Sequence, residues 1–193
     1  MRFSIIAAFA AFMFMFGCKS DQTKSDNTQT ITVHQNKLDY SVPDGWIKEE
    51  PKSRMRLAQF RLPGQNGVGD AELAVFVFPG TGGSVKDNLK RWYGQFKQPD
   101  GADSEEKADL KTLTVNGMNV TVVYLTGTYL QSASPMMMGG PVTEVPSSAM
   151  LAAIAETTTD PWFFKAVGPQ STIDHWRASF DEFVRSFRMG QVE

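Results

Sequence analysis

"PWFFKAVGPQSTIDHWRASFDEFVRSFR", residues 161–188, changes its period partway along. The first eight residues, PWFFKAVG, read as a strand rich in aromatic side chains. From about Ser171 to Phe187 the spacing becomes helical: Ile173, Trp176, Phe180, Phe183 and Phe187 share one stripe, with Asp174, Arg177, Asp181 and Arg185 elsewhere. A helix with one apolar stripe must bury it, and a sheet containing the preceding strand is the surface it is expected to cover. That pairing of strand and covering helix sets the class as α+β.

Upstream, "SSAMLAAIAETTT" carries a conflict. Its alanines favour helix intrinsically, yet its place between a long strand and PWFFKAVG favours a strand, and a strand is expected. "LKTLTV", Asn116-Gly117 and "MNVTVVYLTGTYL" read as a hairpin, because Asn-Gly adopts the positive φ angles of a two-residue type I′ turn. "AELAVFVFPG" is apolar on both faces and reads as a central strand, with "RMRLAQFRLP" as its neighbour and "GQNGVGD" as the loop between them. "LDYSVPDGW" puts Leu38, Tyr40 and Val42 on one face before a turn at Pro43-Asp44-Gly45. A second helix is expected to begin at Ser84, with Asp87 as capping partner and Val85, Leu89, Trp92 and Phe96 at helical spacing. Residues 99–109 are a charged surface loop.

The chain has 193 residues, 19 Lys and Arg against 21 Asp and Glu, and one cysteine. That length suits a single core burying roughly 70% of the unfolded surface. The charge balance excludes a polyanion-binding surface, so no nucleic-acid partner is expected. A lone Cys excludes an internal disulfide and a multi-cysteine metal site.

At the N-terminus, Phe3 to Phe16 contains one polar residue, Ser4. As a helix it would reach roughly 20 Å, short of a hydrocarbon core of about 30 Å. Arg2 before it and Gly17 after it give the layout of an export signal over 1–17. Met15-Phe16-Gly17-Cys18 resembles a bacterial lipobox, in which Cys18 is acylated and the signal is cut before it; ordinary secretion with a spare thiol is the alternative. Two or more acyl chains, at about 0.8 kcal/mol per buried CH₂, anchor stably where one does not. "KSDQTKSDNTQT" follows without an aliphatic or aromatic side chain and completes a flexible tether over 18–30, leaving 31–193 as one domain. Lys19, in place of the Asp that commonly retains such proteins in an inner membrane, favours an outer-membrane address.

The stretches "LDYSVPDGW" and "PWFFKAVGPQSTIDHWRASFDEFVRSFR" resemble the bookends of bacterial lipoproteins with the fold shared by the PsbP subunit of photosystem II and a eukaryotic Ran-binding import factor. In that group an extended strand enters a Pro-x-Gly-Trp turn, and a late aromatic strand followed by Gly-Pro enters a terminal amphipathic helix. The resemblance implies an antiparallel sheet of about six strands flanked by helices, a PsbP-like α/β/α sandwich. It implies no activity, since fold does not confer function.

No constellation of catalytic residues stands out. His34 and His175 lie in no metal-ligand spacing, no G-x-S-x-G elbow occurs, and the pairs Glu49-Glu50, Glu105-Glu106 and Asp181-Glu182 read as solvated faces. "PGTGGSVKD" lacks the spacings of phosphate-binding loops and reads as a connection capped by Ser84. "SASPMMMGGP" places Met136, Met137 and Met138 in a long hairpin loop; thioethers suit Cu(I), but with no His or Cys nearby a mobile or packed loop is the first reading and an adaptable protein or membrane contact the second. Trp46, Trp92, Trp162 and Trp176 are expected in the core. The expected protein is a lipid-anchored envelope module that binds another envelope protein through residues such as Met136–Met138, without catalysis, cofactor or metal. The alternatives are a small-molecule or lipid carrier with its ligand between the sheet and the long helix, and a hydrolase using His175 as base.

Overall fold

The computed structural model describes residues 38–132 and 140–190. In chain order the elements are β1 (Leu38–Asp39), β2 (Ile47–Glu49), β3 (Ala58–Leu62), β4 (Ala71–Val77), α1 (Val85–Tyr93), β5 (Phe96–Lys97), α2 (Ser104–Lys107), β6 (Asp109–Val115), β7 (Met118–Ser132), β8 (Val142–Glu156), β9 (Pro161–Pro169), α3 (Gln170–Arg185) and β10 (Arg188–Met189). Eight strands form one antiparallel sheet in the order β2-β3-β4-β9-β8-β7-β5, with β6 also paired to β7. The sheet therefore exceeds the expected six strands. The additions are short: β2 and β5 have three and two residues, too few to display a period.

The sequence "LDYSVPDGW" buries Leu38, Tyr40 and Val42, as the alternation implies, but β1 leaves the main sheet and pairs with β10. Asn116 and Gly117 both have positive φ, 48° and 83°, and close the β6–β7 hairpin in register from Val115↔Met118. The alanine-rich segment is β8, a strand. Both its faces are covered, so its small side chains are the ones that fit: Ala149, Leu151, Ala153 and Ala155 meet one core, Met150, Ala152 and Ile154 the other. Tertiary burial here overrides helix propensity.

The two cores lie on opposite faces of the sheet. On the first, α3 lays Ile173, Trp176, Phe180 and Phe183 against Trp162, Phe164 and Ala166 of β9, with Phe187 just beyond the helix. The rings interlock: Phe164 and Phe187 are 4.6 Å apart, Tyr40 meets Phe183 edge-on at 5.2 Å, and such pairs add about 0.5–1.5 kcal/mol each beyond burial. On the second face, Leu89, Trp92 and Tyr93 of α1 pack against Val123, Leu125, Ile154 and Phe163. All four tryptophans are buried. The layers are α/β/α. One helical expectation fails at its end: Gly94 terminates α1, and Phe96 lies in β5 opposite Tyr129. The charged stretch 99–109 holds the single turn α2.

Candidate functional site

Strands β7 and β8 are 15 residues each and run on past the rest of the sheet. They pair from Asn119↔Glu156 to Ser132↔Val142, with a bulge between Gly127 and Tyr129. Strand β9 follows β8 only as far as Ser148↔Pro169, so residues 142–147 have β7 on one side and no paired strand on the other among the described residues. The result is a two-stranded arm. Gly127 is needed at its base, since a Cβ there would come within 2.9 Å of the Lys97 carbonyl oxygen on β5. Phe96 and Tyr129 pack at 5.3 Å across that base, and Lys97 pairs with Glu144 at 3.2 Å. Along the arm Val142 and Val145 are 55% and 36% exposed. Pro146 offers no N–H to an added strand, and Ser147 turns away at φ 52° while the Ser148 hydroxyl donates to the Val145 carbonyl at 2.9 Å. The free edge therefore spans Val142 to Val145. Reading the sequence missed this surface because "VTEVPSS" is short and carries a proline, which argues against a strand.

A second concavity, a cleft of about 350 Å³, opens where β6 and β7 meet α3. Its floor includes Leu113, Val122, Leu151 and Phe180, and its rim includes Asp109, Lys111, Arg177 and Arg185. The rim charges are paired within the chain: Arg177 and Lys111 with Asp109 at 3.5 and 3.3 Å, Arg185 with Asp181 at 2.7 Å. Tyr124 donates to Asp174 at 2.6 Å beneath Arg177, whose guanidinium carbon lies 4.0 Å from the ring centre. Burial, with the Asp174 hydrogen bond, raises the Tyr124 hydroxyl to about 12. Above the sheet the aromatic core is filled, with Phe180, Phe183 and Phe187 at most 1% exposed, so the cleft is a lateral notch.

The sequence candidates fall in different places. Cys18, His34 and Met136–Met138 lie outside the described residues. His175 is exposed on α3; its ring meets Trp176 edge-on at 4.8 Å, and it has no hydrogen-bond partner among the described residues. At the start of α1 the Ser84 hydroxyl accepts from the Asp87 N–H at 3.1 Å and donates to the Asp87 carboxylate at 2.6 Å. The Asp87 carboxylate thus sets a negative charge of the chain's own in the first turn of α1. Among the described residues no three His, Cys, Asp or Glu side chains are grouped to hold a metal, and no helix is long and apolar enough to cross a membrane.

No protein-family model and no curated protein sequence matches this chain. Among solved structures it is similar to the cyanobacterial PsbP protein CyanoP from Synechocystis sp. PCC 6803, at TM-score 0.50 and 15% identity over 83% of this chain and 91% of that one. A Pseudomonas aeruginosa protein of unknown function aligns at TM-score 0.48 and 11% identity, over 86% and 99%. An antiparallel sheet between α1 and α3, together with the likeness to CyanoP, makes the fold PsbP-like.

Proposed function

We propose that this protein is a lipid-anchored, non-catalytic binding module of the bacterial cell envelope that engages another envelope protein through the β7–β8 arm. In this reading residues 1–17 are an export signal, Cys18 carries the acyl chains, 18–30 are the tether and Met136–Met138 extend the contact surface. The observation that carries it is the arm, an exposed strand edge at Val142–Val145 beyond a filled core. An open edge gives a partner main-chain hydrogen bonds, and exposed valines give side-chain contact.

Two measurements test the two halves. A photocrosslinking amino acid at Val142 or Val145, in cells, is expected to give one discrete protein adduct, while Leu110, 49% exposed on β6, gives none. Absence of an arm adduct, or equal labelling from Leu110, overturns the docking surface. Intact mass of membrane-extracted protein should show the acylated chain beginning at Cys18; an unmodified thiol overturns the anchor.

The carrier reading is favoured by one observation, the apolar floor of the lateral cleft. It requires a small molecule retained in native mass spectrometry and lost on filling the cleft with Ala178→Trp.

A further inference from the structure

A cavity of about 440 Å³ opens between the last turn of α1, β5 and the start of α2, a size in the range of small-molecule sites. Lys90, Tyr93 and Gly94 form its α1 wall, and Gln98, Ser104 and Glu105 stand across it. Its mouth is open at Gly101, where an added Cβ would meet nothing within 4 Å.

Two lining side chains are more than nine-tenths buried yet carry a polar atom that the fold leaves unused. Gln98 is 7% exposed and Tyr93 6%. The Gln98 NH₂ donates to the Ser104 hydroxyl and to the Thr126 carbonyl, both at 3.0 Å, and the Ser104 hydroxyl donates onward to the Phe96 carbonyl at 2.9 Å. Those bonds fix the amide, so its oxygen is an acceptor with no donor among the described residues. The Tyr93 hydroxyl likewise has no partner among the described residues. Burial, then the Glu105 charge, holds that hydroxyl above its ordinary range, so it is a donor at neutral pH. The Tyr40 hydroxyl and the Trp46 and Trp162 indoles are sealed in the core, whereas these two atoms belong to side chains that line the cavity.

The charges on the lining divide in the same way. Lys97 pairs with Glu144 at 3.2 Å, and the Asp103 carboxylate accepts from the Glu105 N–H at 2.9 Å as the cap of α2. Lys90 and Glu105 have no ion-pair partner among the described residues. Lys90 and Tyr93, three residues apart on α1, are neighbours on one wall and both donate; the Gln98 oxygen and Glu105, on the other, both accept.

We propose that this cavity binds a small zwitterion, an α-amino acid, with its carboxylate at Lys90 and the Tyr93 hydroxyl and its ammonium at the Gln98 oxygen and Glu105. Each end then makes a charge-assisted hydrogen bond, roughly twice as strong as a neutral one. A simple anion meets repulsion from Glu105 and leaves the amide oxygen unmatched, and a simple cation fails in the same way at Lys90. A polyol satisfies the two neutral atoms and neither charge. The site adjoins the arm only through Lys97 and stands whether or not the arm docks a protein.

The test is a proton–nitrogen correlation NMR titration of the full chain in detergent, following the Gly94 and Gly101 amides. The probes are L-alanine, L-alaninamide, N-acetyl-L-alanine and sorbitol. L-alanine is expected to shift both amides saturably, with half-saturation below about 10 mM, and the amide and the N-acetyl compound, each lacking one charge, to bind at least about tenfold more weakly. Lys90→Gln and Glu105→Gln, at exposed positions, should each weaken L-alanine at least about fivefold with an unchanged far-ultraviolet dichroism spectrum. Tyr93→Phe, which keeps the buried ring, should weaken it as well. Failure of L-alanine to saturate, equal binding of either derivative, sorbitol binding in its place, or indifference to either charge substitution each overturns the proposal.

Discussion

Gly45 stands at φ 85°, and a Cβ there would lie 2.7 Å from Cη2 of Trp176. That indole cannot swing aside freely, because its N–H donates to the Pro63 carbonyl at 2.9 Å. Gly45→Ala combines a left-handed backbone cost with an overlap against a fixed ring, and should destabilise the fold by about 2–4 kcal/mol in urea denaturation. A loss below about 0.5 kcal/mol would show that the turn relaxes. Tyrosines set a second expectation. Tyr40, 1% exposed and with no partner for its hydroxyl among the described residues, is raised by burial to about 12; Tyr124 reaches about 12 by burial together with its bond to Asp174. A pKa raised in the folded state means that the folded chain holds the proton more tightly. The linked stability is then full below the unfolded value of about 10 and declines as pH rises from there toward about 12. Burial raises Tyr93 and Tyr129 as well, so ultraviolet titration should show all four tyrosines ionising above the ordinary range, and Tyr124→Phe should remove one of the latest.

Helix α1 depends on its first turn more than α3 does. Ser84 caps α1 through the reciprocal bonds with Asp87, whereas α3 starts at Pro169 with no side-chain cap and is held by its aromatic stripe. Ser84→Ala should cost about 1 kcal/mol, measured as a shifted urea midpoint with an unchanged slope; no shift would mean that packing alone holds α1. Elements of this kind were legible in the sequence, because a cap, a turn dipeptide and an apolar stripe are local signals. The α3 stripe, the Asn116-Gly117 turn and the Ser84 cap all stand where the sequence puts them. Signals that need a partner strand were not legible. The departure of β1 to pair with β10, the two-residue β5 and the arm of β7 and β8 are set by what lies opposite, and one strand's own period does not report its neighbour. The same limit hid the setting of Lys165 on β9, whose cross-strand neighbours Ala74 and Ala152 exist only in the register of β4, β9 and β8.

At the scale of the molecule, the two cores share their strands residue by residue. Ala152 faces the α1 side and Ala153 the α3 side; Phe163 and Phe164 divide in the same way. Loosening either helix therefore strips one face from strands whose other face still needs them flat, so the layers should unfold together. The tryptophans can report this separately, since Trp92 lies in the α1 core and Trp46, Trp162 and Trp176 in the α3 core. In urea, Trp92→Phe leaves fluorescence reporting the α3 side alone, and Trp46→Phe combined with Trp176→Phe weights it toward Trp92. Each variant's fluorescence midpoint should coincide with its own far-ultraviolet dichroism midpoint. If fluorescence weighted toward Trp92 changed at lower urea than the dichroism, α1 would be a separate unit that opens over the sheet. Lys165 of β9, 5.9 Å from the Trp92 ring centre and with no carboxylate partner among the described residues, is where such an opening would begin. Lys165→Met removes that charge and should then raise the earlier midpoint toward the global one; with a single cooperative core it shifts both probes equally.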